Sequence, residues 1–326
     1  MLAIYIPNSH SLERRELEAG AEVPENAVWL DLVNPAPGED KAVERLIGVE
    51  VPTREEMQEI EVSSRLYVEH HARFMTATLM CNSDTAAPKT TAVTFILCGH
   101  RLVTVRYDEP RPFMIVGHKL ARNCPANISG EAVLLELLDA VIDRSADILE
   151  RIGMEVDQVS HDIVEPDGTN ANQALSYKDI LKAIGRKGDL TSKVRESLVS
   201  IGRLLLFLAN EAEGMRWSKD VRLQLQAMQR DVLSLSDHAT YLSSKITFLL
   251  DAMLGVVQIE QNNIIKIFSI ASVALMPPTL IASIYGMNFK AIPELDWPLG
   301  YPFALLLMLA SVAAPFIYFR RKGWLR

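Results

Sequence analysis

Two stretches without a formal charge, Ile267 to Phe289 and Trp297 to Phe319, constrain this chain more than any other feature. Each is 23 residues long, and as a helix each would extend about 35 Å, enough to cross a hydrocarbon core of about 30 Å. Buried helices of a globular core are the competing reading, but two such runs separated by only seven residues suit a membrane hairpin better. A hairpin puts both of its ends on one side. The connecting KAIPELD holds one lysine and two acids, while Arg320, Arg321, Lys322 and Arg326 follow the second run. Basic flanks stay in the cytoplasm, so the expected location is the cell (inner) membrane, multi-pass, with both termini cytoplasmic and the short loop outside. Tyr285, Trp297, Tyr301, Tyr318 and Trp324 stand near the ends of the runs, where interfacial aromatics belong.

Charge is segregated in the same way. The whole chain of 326 residues has a net charge of -8, but residues 1–263 hold 39 acids against 27 bases, and the remainder holds 2 acids against 6 bases. An acidic body argues against a nucleic-acid partner, which would call for a basic domain or stripe. Cys81, Cys98 and Cys124 are too few and too scattered for a disulfide framework or a zinc site. The first residues, MLAIYIPNSHSLERRELEAG, lack the basic and apolar regions of a secretory signal.

The N-terminal part reads as a small α/β domain ending near residue 128. Nine of the sixteen prolines fall in its first 125 residues. Strand-type runs occur at 2–6, 28–33, 65–71, 74–80, 91–97 and 102–107. Helical patterns interrupt them at GEDKAVERLIG and at TREEMQEI, where Thr53 and Glu56 have the spacing of a capping box. Beyond it, Glu131 to Val164 and Asn172 to Glu213 read as two long antiparallel helices joined at an acidic tip of Glu155, Asp157, Asp162, Glu165 and Asp167.

A third helix follows. No proline occurs between Pro166 and Pro277, and Gly255 is the single glycine between Met215 and Met276. One helix of about 93 Å can therefore run on into the first apolar stretch. A helix of that length must pack against copies of itself or its neighbours, which predicts an oligomer. Steps of four and three along it pick out Asp251, Gly255, Gln258, Asn262, Ile265, Ser269, Ser272, Met276, Thr279 and Ser283. Eight of these ten are polar or glycine, and every hydroxyl between Ile264 and Ile284 is among them. A coiled-coil seam has this period but is apolar. Close helix contact through small residues would explain the hydroxyls. A water-filled path on the symmetry axis of a bundle explains Asp251 and Asn262 as well, because a dry seam would leave a carboxylate and an amide unsatisfied.

Directly after this helix come Tyr285-Gly286-Met287-Asn288-Phe289, then Ile292-Pro293-Glu294-Leu295, the second run and the basic Arg320-Arg321-Lys322-Gly323-Trp324-Leu325 end. With the approach IEQNNIIKIFS and PPTLIASIYGMNF, this closely resembles the CorA family of magnesium channels, whose signature is a Gly-Met-Asn tripeptide at the outer end of the first of two C-terminal membrane helices. The resemblance implies an α+β/membrane fold: an N-terminal α/β cytoplasmic domain, a long helical stalk with two antiparallel willow helices, and two C-terminal transmembrane helices, assembled as a homopentameric funnel. The implied division is 1–128 for the α/β domain and 129–263 for willow and stalk. Then come 264–289 for the pore helix, 290–296 for the external loop, 297–319 for the second membrane helix and 320–326 for the cytoplasmic tail.

The resemblance also assigns roles. Gly286, Met287 and Asn288 would form the selective ring at the pore mouth, and Asp251, Asn262, Ile265, Met276, Thr279 and Ser283 would line the pore. Ser269 and Ser272 join them on the seam. Glu294 and Asp296 would attract cations in the external loop, where Lys290 replaces the acid common in related sequences. In the family, Mg²⁺ bound between cytoplasmic protomers holds the closed state, and the stalk acids Asp231 and Asp237 are candidates for that regulatory site. The implied function is Mg²⁺ influx driven by the membrane potential, with passage of Co²⁺ or Ni²⁺, Mg²⁺ being both transported and regulatory. The implied partners are a homopentamer, the lipid bilayer and divalent cations. No organic cofactor, nucleotide or nucleic acid is expected. Because Mg²⁺ sheds water reluctantly, Asn288 and backbone carbonyls would hold the hydrated ion through its waters. Ile265 and Phe268 would form an apolar constriction.

Other readings have less support. His161 in VSHDIVEP resembles a kinase phosphoacceptor, but no nucleotide-binding domain follows it. His70-His71 lacks metal-ligand spacing. No P-loop is present, which argues against an ATP-driven pump. A Zn²⁺ or other divalent-cation transporter of the same superfamily is the main alternative, against which Met287 speaks, and a non-conducting membrane-anchored sensor is the other.

Overall fold

A computed structural model describes residues 1–8, 10–18, 21–85, 87–125, 128–164, 177–212, 214, 217–288 and 297–323. The chain forms two compact units, Met1–Leu250 and Asp251–Arg326. In the first, seven strands make one sheet: β1 (Leu2–Asn8), β2 (Ser11–Leu17), β3 (Trp29–Val33), β4 (Leu66–Glu69), β5 (Ala72–Cys81), β6 (Lys89–Cys98) and β7 (Arg101–Arg106). Their spatial order is β2-β1-β3-β7-β6-β5-β4. β3 and β7 run parallel, while every other neighbouring pair is antiparallel.

The sheet is covered on both faces, as the strands' continuous apolar runs require. On one face Leu2, Ile4, Leu30, Leu32, Val103 and Val105 join Val43 and Ile47 of α1 (Glu39–Ile47) and Met57 of α2 (Arg54–Met57) in a buried cluster. The capping box expected at α2 is present: Glu56 N–H donates to the Thr53 hydroxyl at 3.3 Å, and Thr53 N–H to the Glu56 carboxylate at 2.8 Å. The one-turn α3 (Val62–Arg65) leads directly into β4.

On the other face Trp29 stacks on Tyr5 and approaches Phe113 of α4 (Arg111–Arg122). A polar chain is buried beside it. Trp29 Nε1 donates to the Thr104 hydroxyl at 2.9 Å, Thr104 donates to Asp31 at 2.7 Å, and Arg106 grips Asp31 with Nε at 3.0 Å and Nη2 at 2.8 Å. Asp31 is 2% exposed, so removing either partner would strand a buried charge, at a typical cost of about 3–5 kcal/mol.

Three long helices complete the unit: α5 (Gly130–Val164), α6 (Tyr177–Glu211) and the first part of α7 (Lys219–Tyr285). Gly130 is obligatory at the start of α5: its N–H donates to the His100 carbonyl at 2.7 Å, and a Cβ there would lie 2.3 Å from the Leu102 nitrogen. α5 runs parallel to α7, with Asp139 near Asp231 and Asp157 at Lys245, whereas α6 runs against it, with Leu205 at Gln229 and Gly188 beside Ile246; α5 and α6 are therefore antiparallel, and Glu155 pairs with Lys187 between them. α7 packs on them through Leu225, Met228, Val232, Ala239, Leu242, Ile246 and Leu249, all buried at spacings of three, four or seven. Gln229 Nε2 donates to the Leu205 carbonyl at 3.2 Å, and Lys245 pairs with Asp157.

Three details differ from expectation. β2 carries no clear apolar period, whereas α4 buries Phe113, Val116 and Leu120 at helical spacing; both are additional elements. The run at 65–71 stops at Glu69, because His70 and His71, at φ 44° and 69°, form the two-residue turn between β4 and β5. Glu155 and Asp157 are spent on lysine partners rather than gathered at a free acidic tip; Glu165 and Asp167 lie outside the described residues.

The second unit contains the remainder of α7 and the helix α8 (Gly300–Arg321). Both are long and apolar enough to cross a membrane, with mean hydropathy of 1.9 and 2.0 in their most apolar windows. α7 includes the consecutive prolines Pro277 and Pro278. A proline has no N–H to give to the carbonyl four residues earlier, so Val273 and Ala274 each lose their ordinary helical donor.

Candidate functional site

The residues picked out by alternating steps of four and three all lie on the second unit's share of α7, and each is exposed, from Asp251 through Asn262 and Ile265 to Ser283. Ile265 is 62% and Met276 72% exposed. By contrast, Ile270 and Ala274 are 6% and 3% exposed. At about 100° per residue, those two buried positions point roughly 140° away from the mean direction of the seam. The seam thus occupies the side of the helix that its own chain leaves bare.

Its chemistry is that of neutral acceptors. The Thr279 hydroxyl donates back to the Leu275 carbonyl at 2.7 Å, which leaves its oxygen lone pairs directed outward. Ser269, Ser272 and Ser283 add hydroxyls, and Asn262 adds an amide. Asp251 supplies the single formal charge on this line.

The helix ends where the sequence signature begins. Gly286 N–H donates to the Ala282 carbonyl at 2.9 Å, and Met287 N–H to the Ile284 carbonyl at 3.3 Å, a tightening common in a last turn. A Cβ on Gly286 would stand 3.1 Å from the Ala282 oxygen. Glycine therefore allows the chain to leave the helix at this point, with the exposed Met287 and Asn288 just beyond it. Glu294 and Asp296, expected to attract cations, lie outside the described residues.

The regulatory candidates Asp231 and Asp237 belong to the other unit, exposed on α7. Among the described residues no group of three or more His, Cys, Asp or Glu side chains is arranged to hold a metal. Asp231 is nevertheless close enough to act on Asp139 of α5. Burial first, and then the charges of Asp143, Glu136 and Asp231, push the Asp139 carboxyl above its ordinary range, with Lys119 opposing. That acidic patch was legible in principle, since Glu136, Asp139 and Asp143 follow helical spacing on one face. His161 lies within α5, and His70-His71 is the tight turn already described.

A model of the family described as CorA-like Mg²⁺ transporter protein matches residues 24–321. The magnesium transport protein CorA of Escherichia coli (strain K12) is 34% identical over 327 residues, with all of both chains covered. The protein of the same name from Yersinia pseudotuberculosis is 33% identical over 325 residues, again with full coverage of both. Among solved structures, the complete CorA magnesium transporter from Methanocaldococcus jannaschii superposes with a TM-score of 0.77 at 18% identity, covering 100% of this chain and 99% of that one. The cytoplasmic domain of ZntB from Vibrio parahaemolyticus superposes with a TM-score of 0.58 at 11% identity, over 78% of this chain and 97% of that domain. At such identities the likeness is one of fold.

Proposed function

This chain belongs to the CorA-like Mg²⁺ transporter protein family, and from that premise we propose that it is a homopentameric channel admitting Mg²⁺ through the cell membrane. The family's members are ion transporters, not enzymes. The observation that carries the reading is the bare polar seam of α7 leading to Gly286-Met287-Asn288. Five copies of that seam around an axis would enclose a path lined by neutral oxygens, and five copies of Asn288 would ring its mouth.

Such a ring suits a hydrated ion. Mg²⁺ keeps several of its waters, and amide or carbonyl oxygens accept hydrogen bonds from those waters without stripping them. Ile265 and Phe268, both exposed on α7, form the apolar constriction that closes the path by dewetting. An inside-negative potential of 100 mV contributes about 4.6 kcal/mol for a divalent ion, so inward flux needs no chemical fuel. Body and C-terminus are cytoplasmic in this reading. Domain limits of 1–128, 129–263, 264–289, 290–296, 297–319 and 320–326 then separate domain, stalk, pore, loop, second span and tail. Glu294 and Asp296 attract cations outside. Asp231 and Asp237 bind intracellular Mg²⁺ between protomers and hold the pore shut, and Co²⁺ and Ni²⁺, similar in size, pass as well.

Reconstitution into liposomes with a Mg²⁺-sensitive dye tests this directly. Asn288→Ala should lower the initial uptake rate by at least about tenfold, since hydrogen bonds to charged groups are worth about 1.5–3 kcal/mol each. Undiminished uptake would overturn the assignment of the mouth. Entry of Zn²⁺ without Mg²⁺ would overturn the substrate.

A further inference from the structure

The first unit contains a cleft that the ion pathway does not use. Its larger part, about 570 Å³, opens between β5, the segment after α2 and the outer face of α6, and is lined by Arg65, Arg195, Arg203, Ser192, Ser200 and Glu196. A neighbouring part of about 400 Å³ shares Arg65 and Glu196 and adds Arg54, Lys89, Tyr107 and Asp108. Five cationic side chains thus face two carboxylates, in a chain whose net charge is -8.

Among the described residues, most of that positive charge forms no ion pair. Asp108 is taken by Lys89 at 2.5 Å. Arg65 is fixed by uncharged acceptors, with Nη1 donating to the Thr78 hydroxyl at 3.1 Å and Nε to the Glu59 carbonyl. Arg54 lies over the Tyr107 ring, 5.0 Å from its centroid. Arg195 and Arg203, roughly two turns apart on α6, make no ion pair among the described residues. Guanidinium groups gathered in a concavity focus a positive potential, and their planar forks match phosphate oxygens two at a time. Ile60, 87% exposed, stands at the same cavity with Leu66 and Val199, giving it an apolar margin.

We propose that this cleft binds a small anion carrying two or more phosphate groups. The volume is within the range of ordinary ligand sites. The missing P-loop argues against a pump that spends ATP, but it does not bear on a site that grips phosphate with arginine side chains and has no catalytic apparatus. The basic lining also sets a preference: metal-free polyphosphate binds more tightly than its Mg²⁺ complex, whose charge is smaller. The proposal does not depend on which ion the membrane segment conducts.

The test is calorimetric titration of the full chain in detergent with inorganic triphosphate and with ATP, first with chelator and then with excess Mg²⁺. Saturable binding of one or both probes is expected, weakened by Mg²⁺, and weakened at least about tenfold in an Arg195→Ala/Arg203→Ala double variant. Both arginines are exposed on a helix, so the variant should keep its circular dichroism spectrum, and Arg203→Glu provides a second, stronger perturbation at one site. Equal affinity for the two probes assigns the site to the phosphate chain, and tighter binding of ATP assigns part of it to the apolar margin. Absence of saturable binding at millimolar probe, or unchanged affinity in both variants, overturns the proposal. A change of oligomeric state in the double variant, with no probe binding by the unaltered protein, assigns the cleft to subunit contact and overturns it as well.

Discussion

Asp84, on the loop between β5 and β6, collects three guanidinium groups: Arg111 at 2.9 Å, Arg144 at 2.6 Å, and Arg151. Hydrogen bonds from Arg151 and then Arg144 overcome partial burial and hold its carboxyl down at about 2, against 3.8 for an ordinary aspartate. Because the folded value is depressed, the stabilisation is fully present above the unfolded value and is lost as pH falls through the folded one. Asp84→Asn should therefore lower the melting temperature of the detergent-solubilised protein at pH 7, with the deficit shrinking progressively below pH 4. A deficit independent of pH would show that the loop's shape matters rather than its charge. At 43% exposure the effect is reduced by solvent screening. Nothing in the local text TLMCNSDTAAPKT announces this role. Its partners lie 27, 60 and 67 residues away, and the convergence exists only once α4 and α5 have docked.

At the scale of elements, legibility followed periodicity. α7 could be read almost to its ends because a helix without internal breakers imposes one geometry on every residue, so a 3.5-residue pattern in the text becomes a line on a surface. The capping box at α2 was equally plain. β2 was not, because SLERREL places Glu13 to Glu16 in succession; as an edge strand it uses those charges for neighbouring ion pairs and for protection against further pairing. α4, by contrast, was legible in principle: Phe113, Val116 and Leu120 recur at helical spacing, and Pro112 is at home in a helix's first turn. For the seam, the measurable consequence is directional. Ser272→Ala and Thr279→Val, which remove the hydroxyl with little other change, should each lower Mg²⁺ uptake about fivefold, equivalent to about 1 kcal/mol for one hydrogen bond. Leu275→Ala, exposed on a different side of the same helix, should leave it near the unaltered rate. Equal losses at all three would argue for general damage to the helix instead.

For the whole molecule, the outer surface of α7 is itself unfinished. Leu233, Tyr241 and Phe248 are 70%, 58% and 68% exposed in a single chain, well beyond what a solvated helix needs. In the proposed homopentamer, copies of the chain would cover them. Cross-linking in native membranes should give a ladder of species ending at five, and millimolar Mg²⁺ should slow proteolysis of the unit Met1–Leu250. Asp231→Asn with Asp237→Asn should abolish that protection while leaving the ladder intact; protection that survives both changes would place the regulatory ion elsewhere. One further consequence belongs to Pro277 and Pro278. Adjacent prolines deny the Val273 carbonyl a partner four residues on and also five residues on, so neither an α-helical nor a more loosely wound turn can restore its bond. Bending is cheapest where a rod has lost its bracing, and here that weak point has a fixed address, Val273, six residues before Thr279, whatever the rest of the helix is doing.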